Sequence, residues 1–325
     1  MSCNNETNYF ASPEFLISIS NVITFFEIPV CTFGAYCILF KTPERMTSVK
    51  WLMMNLHFWS TMSDLTICCF GIPFLYLPQN AGYGLGIIDA PGAMIYSGVT
   101  FIGAFGVSFL AIYENRYFIL FAKNSNWKHW RKIFLPFMCI FVPLFFLPPF
   151  LQIPDQEIAR LYVQKEIPCL NLTSVQDREL FVLSMNSNLP GYCVIIGTFA
   201  IIGSTGIIFL LTLYQLFKRN KSFKLSSRSY QLQKNFLIAI TLQSFLSFIF
   251  IIVPVNIILY VVVFWYYNQV LNNIMCLMFS MFGLETCVVM ILVHKPYREF
   301  AISLILCFRK RTVKTVENVS IVFLN

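Results

Sequence analysis

The sequence predicts an all-α membrane protein: a seven-transmembrane helix bundle with its N-terminus outside, its C-terminus inside and a short amphipathic helix after span seven. Three observations lead there. The 325 residues are 57% hydrophobic and only 12% charged, with a mean hydropathy of +0.69. A soluble domain carries about 25% charged residues, and a single water-soluble core could not hide this much apolar surface. Seven long apolar runs divide the chain, and its basic residues fall on one side of them.

The runs are Phe15–Phe40, Trp51–Leu77, Gly92–Phe121, Phe134–Ile153, Leu189–Phe217, Phe236–Phe264 and Ile274–Val293. Each is long enough to cross a bilayer as a tilted helix. Strands of a membrane barrel would be about 10 residues long with strict alternation, a pattern these runs lack. The first run is expected to be a retained signal anchor, because Met1–Glu14 contains no Lys or Arg and the run is too long for a cleaved leader. This gives an extracellular arm over residues 1–14 and a membrane domain over 15–293. That domain carries a long outer loop at 154–188 and an inner loop at 218–235, and residues 294–325 form a cytoplasmic tail.

Charge sets the orientation. Lys41, Arg45 and Lys50 follow the first run; Arg116, Lys123, Lys128, Arg131 and Lys132 surround the end of the third. Lys218, Arg219, Lys221, Lys224, Arg228 and Lys234 fill the loop after the fifth, and Lys295, Arg298, Arg309, Lys310, Arg311 and Lys314 lie in the tail. The other side has Arg160, Lys165 and Arg178, mixed with acids. Basic residues stay cytoplasmic, so the net charge of +8 reads as an insertion signal rather than a nucleic-acid footprint. Asn5 and Asn171 head glycosylation sequons on the predicted outer face. Most of the eleven cysteines lie in spans as small apolar residues. Cys3 and Cys169 sit in the oxidising outer segments and are the candidate disulfide, with Cys193 as the rival partner of Cys169.

Enzyme chemistry is not indicated. His57, His129 and His294 are far apart, and neither a zinc pattern nor a P-loop occurs. "GYGLG" is expected in an outer loop without the preceding strand that a dinucleotide fingerprint needs. No metal or cofactor is called for.

Short motifs narrow the reading. "YFASPEF" (Tyr9–Phe15), "FGAYCILFKTPERMTSVKW" (Phe33–Trp51), "NLHFW" (Asn55–Trp59), "AGYGLG" (Ala81–Gly86) and "YENRY" (Tyr113–Tyr117) resemble nematode chemoreceptors of serpentine receptor class H. So do "IPDQE" (Ile153–Glu157), "IPCL" (Ile167–Leu170), "LQKNF" (Leu232–Phe236), "YYNQVLNN" (Tyr266–Asn273) and "VHKPYREF" (Val293–Phe300). The resemblance implies a G-protein-coupled receptor of chemosensory neurons, displayed on the plasma membrane of sensory cilia. It would bind a small-molecule or peptide ligand and activate a heterotrimeric G protein. A seven-span channel or transporter is the alternative, although no paired repeat of interrupted helices is visible.

The resemblance also bears on single residues. Glu114, Asn115, Arg116 and Tyr117 stand where rhodopsin-like receptors carry Asp-Arg-Tyr. Position and charge alone favour an Arg snorkelling to the headgroups. The resemblance favours a signalling switch, in which Glu114 or Asn115 restrains Arg116. Asp64 sits nine residues after Asn55, and with Glu285 it is either a polar connector through the bundle or an interhelical hydrogen-bond donor. Glu27 is a further buried acid. Pro254 would kink span six, for signalling or for packing. A ligand pocket is expected near Tyr96, Phe101 and Tyr260. In the tail, Tyr297, Phe300, Ala301, Leu304, Ile305 and Phe308 recur on one helical face, and Cys307 beside the basic cluster is a palmitoylation candidate.

Overall fold

The computed structural model describes residues 8–44, 47–166, 178–185, 188–219 and 227–307. Seven long helices form the bundle: span one Pro13–Lys41, span two Thr47–Leu65, span three Pro91–Tyr117, span four Trp127–Phe145, span five Leu189–Arg219, span six Ser227–Val263 and span seven Gln269–Val293. Ser12 caps the first helix by accepting from the Phe15 N–H, with Pro13 in the first turn. Asn268 caps the last in the same way, accepting from Leu271.

Six of these helices are long and apolar enough to cross a membrane by themselves. Span two is the exception, because it carries Asn55, His57, Ser60, Ser63 and Asp64. The bundle shelters it. Span two packs against spans one, three and seven, and His57, Ser60, Ser63 and Asp64 are all buried. A polar helix is tolerated in lipid when its polar face looks inward.

The apolar run Trp51–Leu77 is not one helix, contrary to expectation. Span two ends at Leu65 and continues as a π-helical turn through Thr66–Gly71. Ile72 then takes a left-handed backbone (φ 38°) that turns the chain back, a rare conformation for a β-branched residue. Pro73–Tyr76 forms strand β1 and pairs antiparallel with β2 (Ala81–Gly84), in a register from Pro73↔Gly84 to Tyr76↔Ala81. A third strand, β3 (Phe181–Val182), adds to β2 from the long loop. A short apolar strand and a helix end look alike in hydrophobic pattern, so composition did not separate them. "AGYGLG" therefore follows a strand after all. That strand is an antiparallel hairpin partner, without the helix crossover of a nucleotide fold.

The loop 154–188 also holds a helix, Gln156–Glu166. Spans five and six reach Arg219 and start at Ser227, further into the 218–235 segment than hydropathy indicated, since helical hydrogen bonding continues past the lipid boundary. Residues 295–307 form the expected helix after span seven. One apolar cluster fills the bundle around Phe105, Phe109 and Phe282. A second binds the hairpin to spans one, six and seven through Leu16, Tyr83, Val261 and Met275. The sheet marks the hairpin end of the bundle and residues 295–307 mark the tail end.

Candidate functional site

The hairpin is tied down from every side. From span seven, Gln269 donates to the Leu75 carbonyl at 3.2 Å, and Asn272 donates to those of Leu75 and Leu77 at 3.2 and 3.3 Å. Asn273 reaches the N-terminal segment, donating to Phe10 O at 3.0 Å. Gln156 uses both ends of its amide on Val182, accepting from its N–H at 2.9 Å and donating to its carbonyl at 3.1 Å, as a neighbouring strand would. Arg178 donates to Gly84 O and Gly86 O at 2.8 and 2.7 Å. Gly86 must be glycine, because a Cβ there would lie 2.4 Å from the Phe70 carbonyl. The motifs "YFASPEF", "AGYGLG", "IPDQE" and "YYNQVLNN" thus meet in one lid.

Directly under the lid is a cavity of about 220 Å³ between spans three, five, six and seven. Leu75 of β1 roofs it; Met94, Gly98 and Ile102 of span three, Thr198 and Ile202 of span five, Val255 and Ile258 of span six, and Met275 and Cys276 of span seven are among its walls. The lining carries almost no polar atoms. A dry apolar cavity of about 150 Å³ already takes up benzene, so this one has room for a larger small molecule. Tyr96, Phe101 and Tyr260 do not line it. Tyr96 donates to Pro143 O at 2.6 Å, Phe101 packs on Trp59, and Tyr260 is half exposed beside Phe264. Their neighbours Ile95, Ile102 and Ile258 face the space instead, because amphipathic aromatic rings serve equally well at an interface.

Below the cavity lie the buried acids. Asp64 reaches across to span seven and accepts from the Leu284 N–H at 2.9 Å. Gly283 makes this approach possible, since a Cβ there would lie 2.6 Å from Asp64 Oδ2 and 2.8 Å from Ser60 O. Glu285 turns toward span six, accepting from Ser247 at 3.1 Å, and Ser247 bonds Thr286 at 2.7 Å. Asp64 and Glu285 therefore bind opposite neighbours of span seven rather than each other. Glu27 accepts from the Cys68 thiol at 3.2 Å. The "NLHFW" motif joins helices: Asn55 donates to Ser108 of span three at 2.7 Å and His57 to Cys31 O of span one at 2.9 Å. Pro254 is buried within span six.

At the tail end, Glu114 is fully buried and held by span four. It accepts from Trp127 Nε1 at 2.8 Å and from Arg131 Nη2 at 2.8 Å. The Arg131 guanidinium also sits 4.0 Å from the Phe118 ring centre. The partners the structure gives Glu114 are thus on span four, beside the expectation that Glu114 or Asn115 restrains Arg116. The sequence signal for these partners was Arg131 and Trp127 at the start of the next span, four residues apart on one helical face. Tyr113 bonds Ser244 of span six at 2.6 Å, and Tyr117 packs on Trp127. Arg116 is buried and acts electrostatically on His294. Burial, reinforced by that charge, pushes the His294 imidazole down to about 4, so it is neutral at physiological pH. The motif "VHKPYREF" docks the last helix on span one. Tyr297 shares a 2.7 Å hydrogen bond with Thr42, Phe300 stacks on Phe33, and Lys41 lies 4.2 Å over the Phe300 ring.

Cys307 is exposed at the end of that helix, and Cys193 is a buried free thiol. Cys3, Cys169, Asn5 and Asn171 lie outside the described residues, and so does the pairing of Cys3 with Cys169. Among the described residues no cluster of His, Cys, Asp and Glu could hold a metal ion.

The arrangement is a sealed lid over an apolar cavity, with a cross-braced polar interior and a basic far end. The family described as serpentine type 7TM GPCR chemoreceptor Srh matches residues 11–307. The chain belongs to this family. It is a multi-pass membrane protein of a serpentine chemoreceptor class, and that class is one of receptors rather than enzymes. It is similar to serpentine receptor class H-72 of Caenorhabditis elegans, at 23% identity over 98% of this chain and 93% of that protein's length. The matched segment runs from the "YFASPEF" cap to the end of the last described helix, and it takes in the motifs "AGYGLG", "YENRY", "IPDQE", "YYNQVLNN" and "VHKPYREF", whose contacts are given above.

Proposed function

We propose that this Srh protein is a chemosensory receptor that detects a small external chemical in the cavity under the lid and activates a heterotrimeric G protein at its tail end. The observation that carries the reading is the apolar cavity itself. Most of its lining comes from spans three, five, six and seven, so a bound molecule touches four helices that end on the other face. Span six contains Pro254, a hinge candidate beside the lining residue Val255.

Charge supports placing the lid outside. At the tail end stand Lys41, Lys50, Lys123, Lys128, Arg131, Lys132, Lys295 and Arg298. At the hairpin end, Arg160 and Arg178 are each matched by an acid, Glu179 at 2.6 Å and Asp89 at 3.5 Å. The positive-inside rule then sets the lid toward the exterior. The same reading takes the receptor to be displayed on the plasma membrane, on the cilia of chemosensory neurons. In this reading the cluster of Tyr113, Glu114, Asn115, Arg116 and Tyr117 at the end of span three forms the switch facing the G protein.

The test is expression in a heterologous cell with a second-messenger readout and parallel electrical recording, challenged with a library of small chemicals. A ligand that raises the messenger in a G-protein-dependent way supports the reading. A ligand-gated current that survives loss of all G-protein signalling overturns it in favour of a channel.

A further inference from the structure

We infer that the ligand is an uncharged, lipid-soluble molecule that enters the cavity sideways from the bilayer, through the seam between spans five and six. The inference rests on the receptor reading for its biological meaning, but the route is argued from the geometry alone.

The way in from the hairpin end is closed by a small core of its own. Tyr83, Leu85, Leu180 and Val182 of the lid pack with Leu16, Val261, Met275 and Cys276 of the spans. Hydrogen bonds from Gln156, Arg178, Gln269 and Asn272 hold the strands on top. A ligand arriving through water would have to break this packed and hydrogen-bonded layer.

The side walls differ from one another. Among the described residues, span five packs against spans three and four, whereas span six packs against span seven and scarcely touches span five. Toward the seam the cavity is lined by side chains of both helices: Thr198 and Ile202 of span five, Phe248 and Val255 of span six. All face the cavity, and none carries a charge. Outside the seam the surface is apolar, with Phe199 76% exposed and Ile252 42% exposed. Side chains can rotate aside on fast timescales, whereas backbone-packed helix pairs cannot.

The chemistry of the lining agrees. A charged or strongly polar ligand would find no partner there and would lose its hydration. An apolar molecule already dissolved in lipid has no such cost and gains close contacts.

The experiment uses the full chain in lipid nanodiscs with a small phenyl-diazirine that partitions into lipid, photolysed and mapped by mass spectrometry. Adducts are expected on the wall residues Met94, Met275 and Cys276 as well as on lipid-facing Phe199. Ile202→Trp, or Val255→Trp from the opposite side, should lower the wall adducts several-fold and leave those at Phe199 unchanged, with thermal unfolding confirming the fold. Gln156→Ala, which loosens the lid, should leave the wall adducts unchanged. Absence of wall adducts in the parent chain overturns the route. So do wall adducts that ignore both seam substitutions or that rise when the lid is loosened. Labelling does not depend on signalling, so a chain that labels as expected and never signals would sink the receptor reading and leave the route intact.

Discussion

Glu114 binds Arg131 at 2.8 Å across the turn between spans three and four, and it does so from a fully buried position. The acid of the "YENRY" motif therefore braces span four, and Arg116, two residues on, faces a different environment beside His294. Residues two apart on a helix do not share a face, which is why one motif can serve two neighbours.

Breaking this brace should be costly in one direction. Arg131→Met leaves a buried carboxylate with Trp127 as its remaining donor, and a hydrogen bond between charged groups is worth about 1.5–3 kcal/mol. Arg131 is partly exposed, so the lower end of that range is expected. A double-mutant cycle with Glu114→Gln in thermal unfolding should give clear coupling; simply additive losses would show that the pair does not act as a unit.

Arg116→Ala should abolish ligand-driven signalling at normal surface expression, because the switch reading gives this buried cation a role that packing alone does not supply. Measuring second messenger and surface level together checks this. Full signalling at full expression would return Arg116 to a purely structural role.

Gly283→Ala should destabilise the bundle by about 1–3 kcal/mol, the usual range for overpacking. Its new Cβ meets both a carboxylate and the Ser60 backbone oxygen, and only the first can swing away. Gly203→Ala on span five, with nothing within 4 Å, is the matched control and should change little. Equal melting temperatures for the two variants would remove the argument for close contact between spans two and seven.

Asn272→Ala should loosen the lid without unfolding the bundle. It removes hydrogen bonds to Leu75 O, which keeps Gln269, and to Leu77 O, at a cost of about 1–3 kcal/mol for the Leu77 carbonyl that loses its side-chain donor. Hydrogen exchange at Ala81–Gly84 should accelerate while amides of span three stay protected.

Much of the bundle was legible because lipid imposes a strong rule: long apolar runs must be helices. Span two obeyed it least, since Asp64 and its polar neighbours gain their shelter from other helices, which no local window records. The lid was hidden for a related reason. Its strand Pro73–Tyr76 continues an apolar run, and the polar residues that fasten it, Gln156, Asn272 and Arg178, lie far apart in sequence. Glu114 stood out in the sequence, but its partners Trp127 and Arg131 did not, because pairing across a turn depends on how spans three and four meet. Tyr96, Phe101 and Tyr260 lie beside the cavity rather than on its walls, because aromatic character marks interfaces as readily as pockets.

The most direct test of the central claim is to fill the cavity. Gly98 lines the cavity, and a Cβ there makes only ordinary contacts, 3.9 Å from Thr66 and 4.0 Å from Ile67, so Gly98→Leu should fold and reach the surface normally. The account predicts that this variant loses its second-messenger response to an activating chemical, while Gly203→Leu, facing lipid, keeps it. An unchanged response in Gly98→Leu, at equal expression, would show that the chemical is not detected in this cavity.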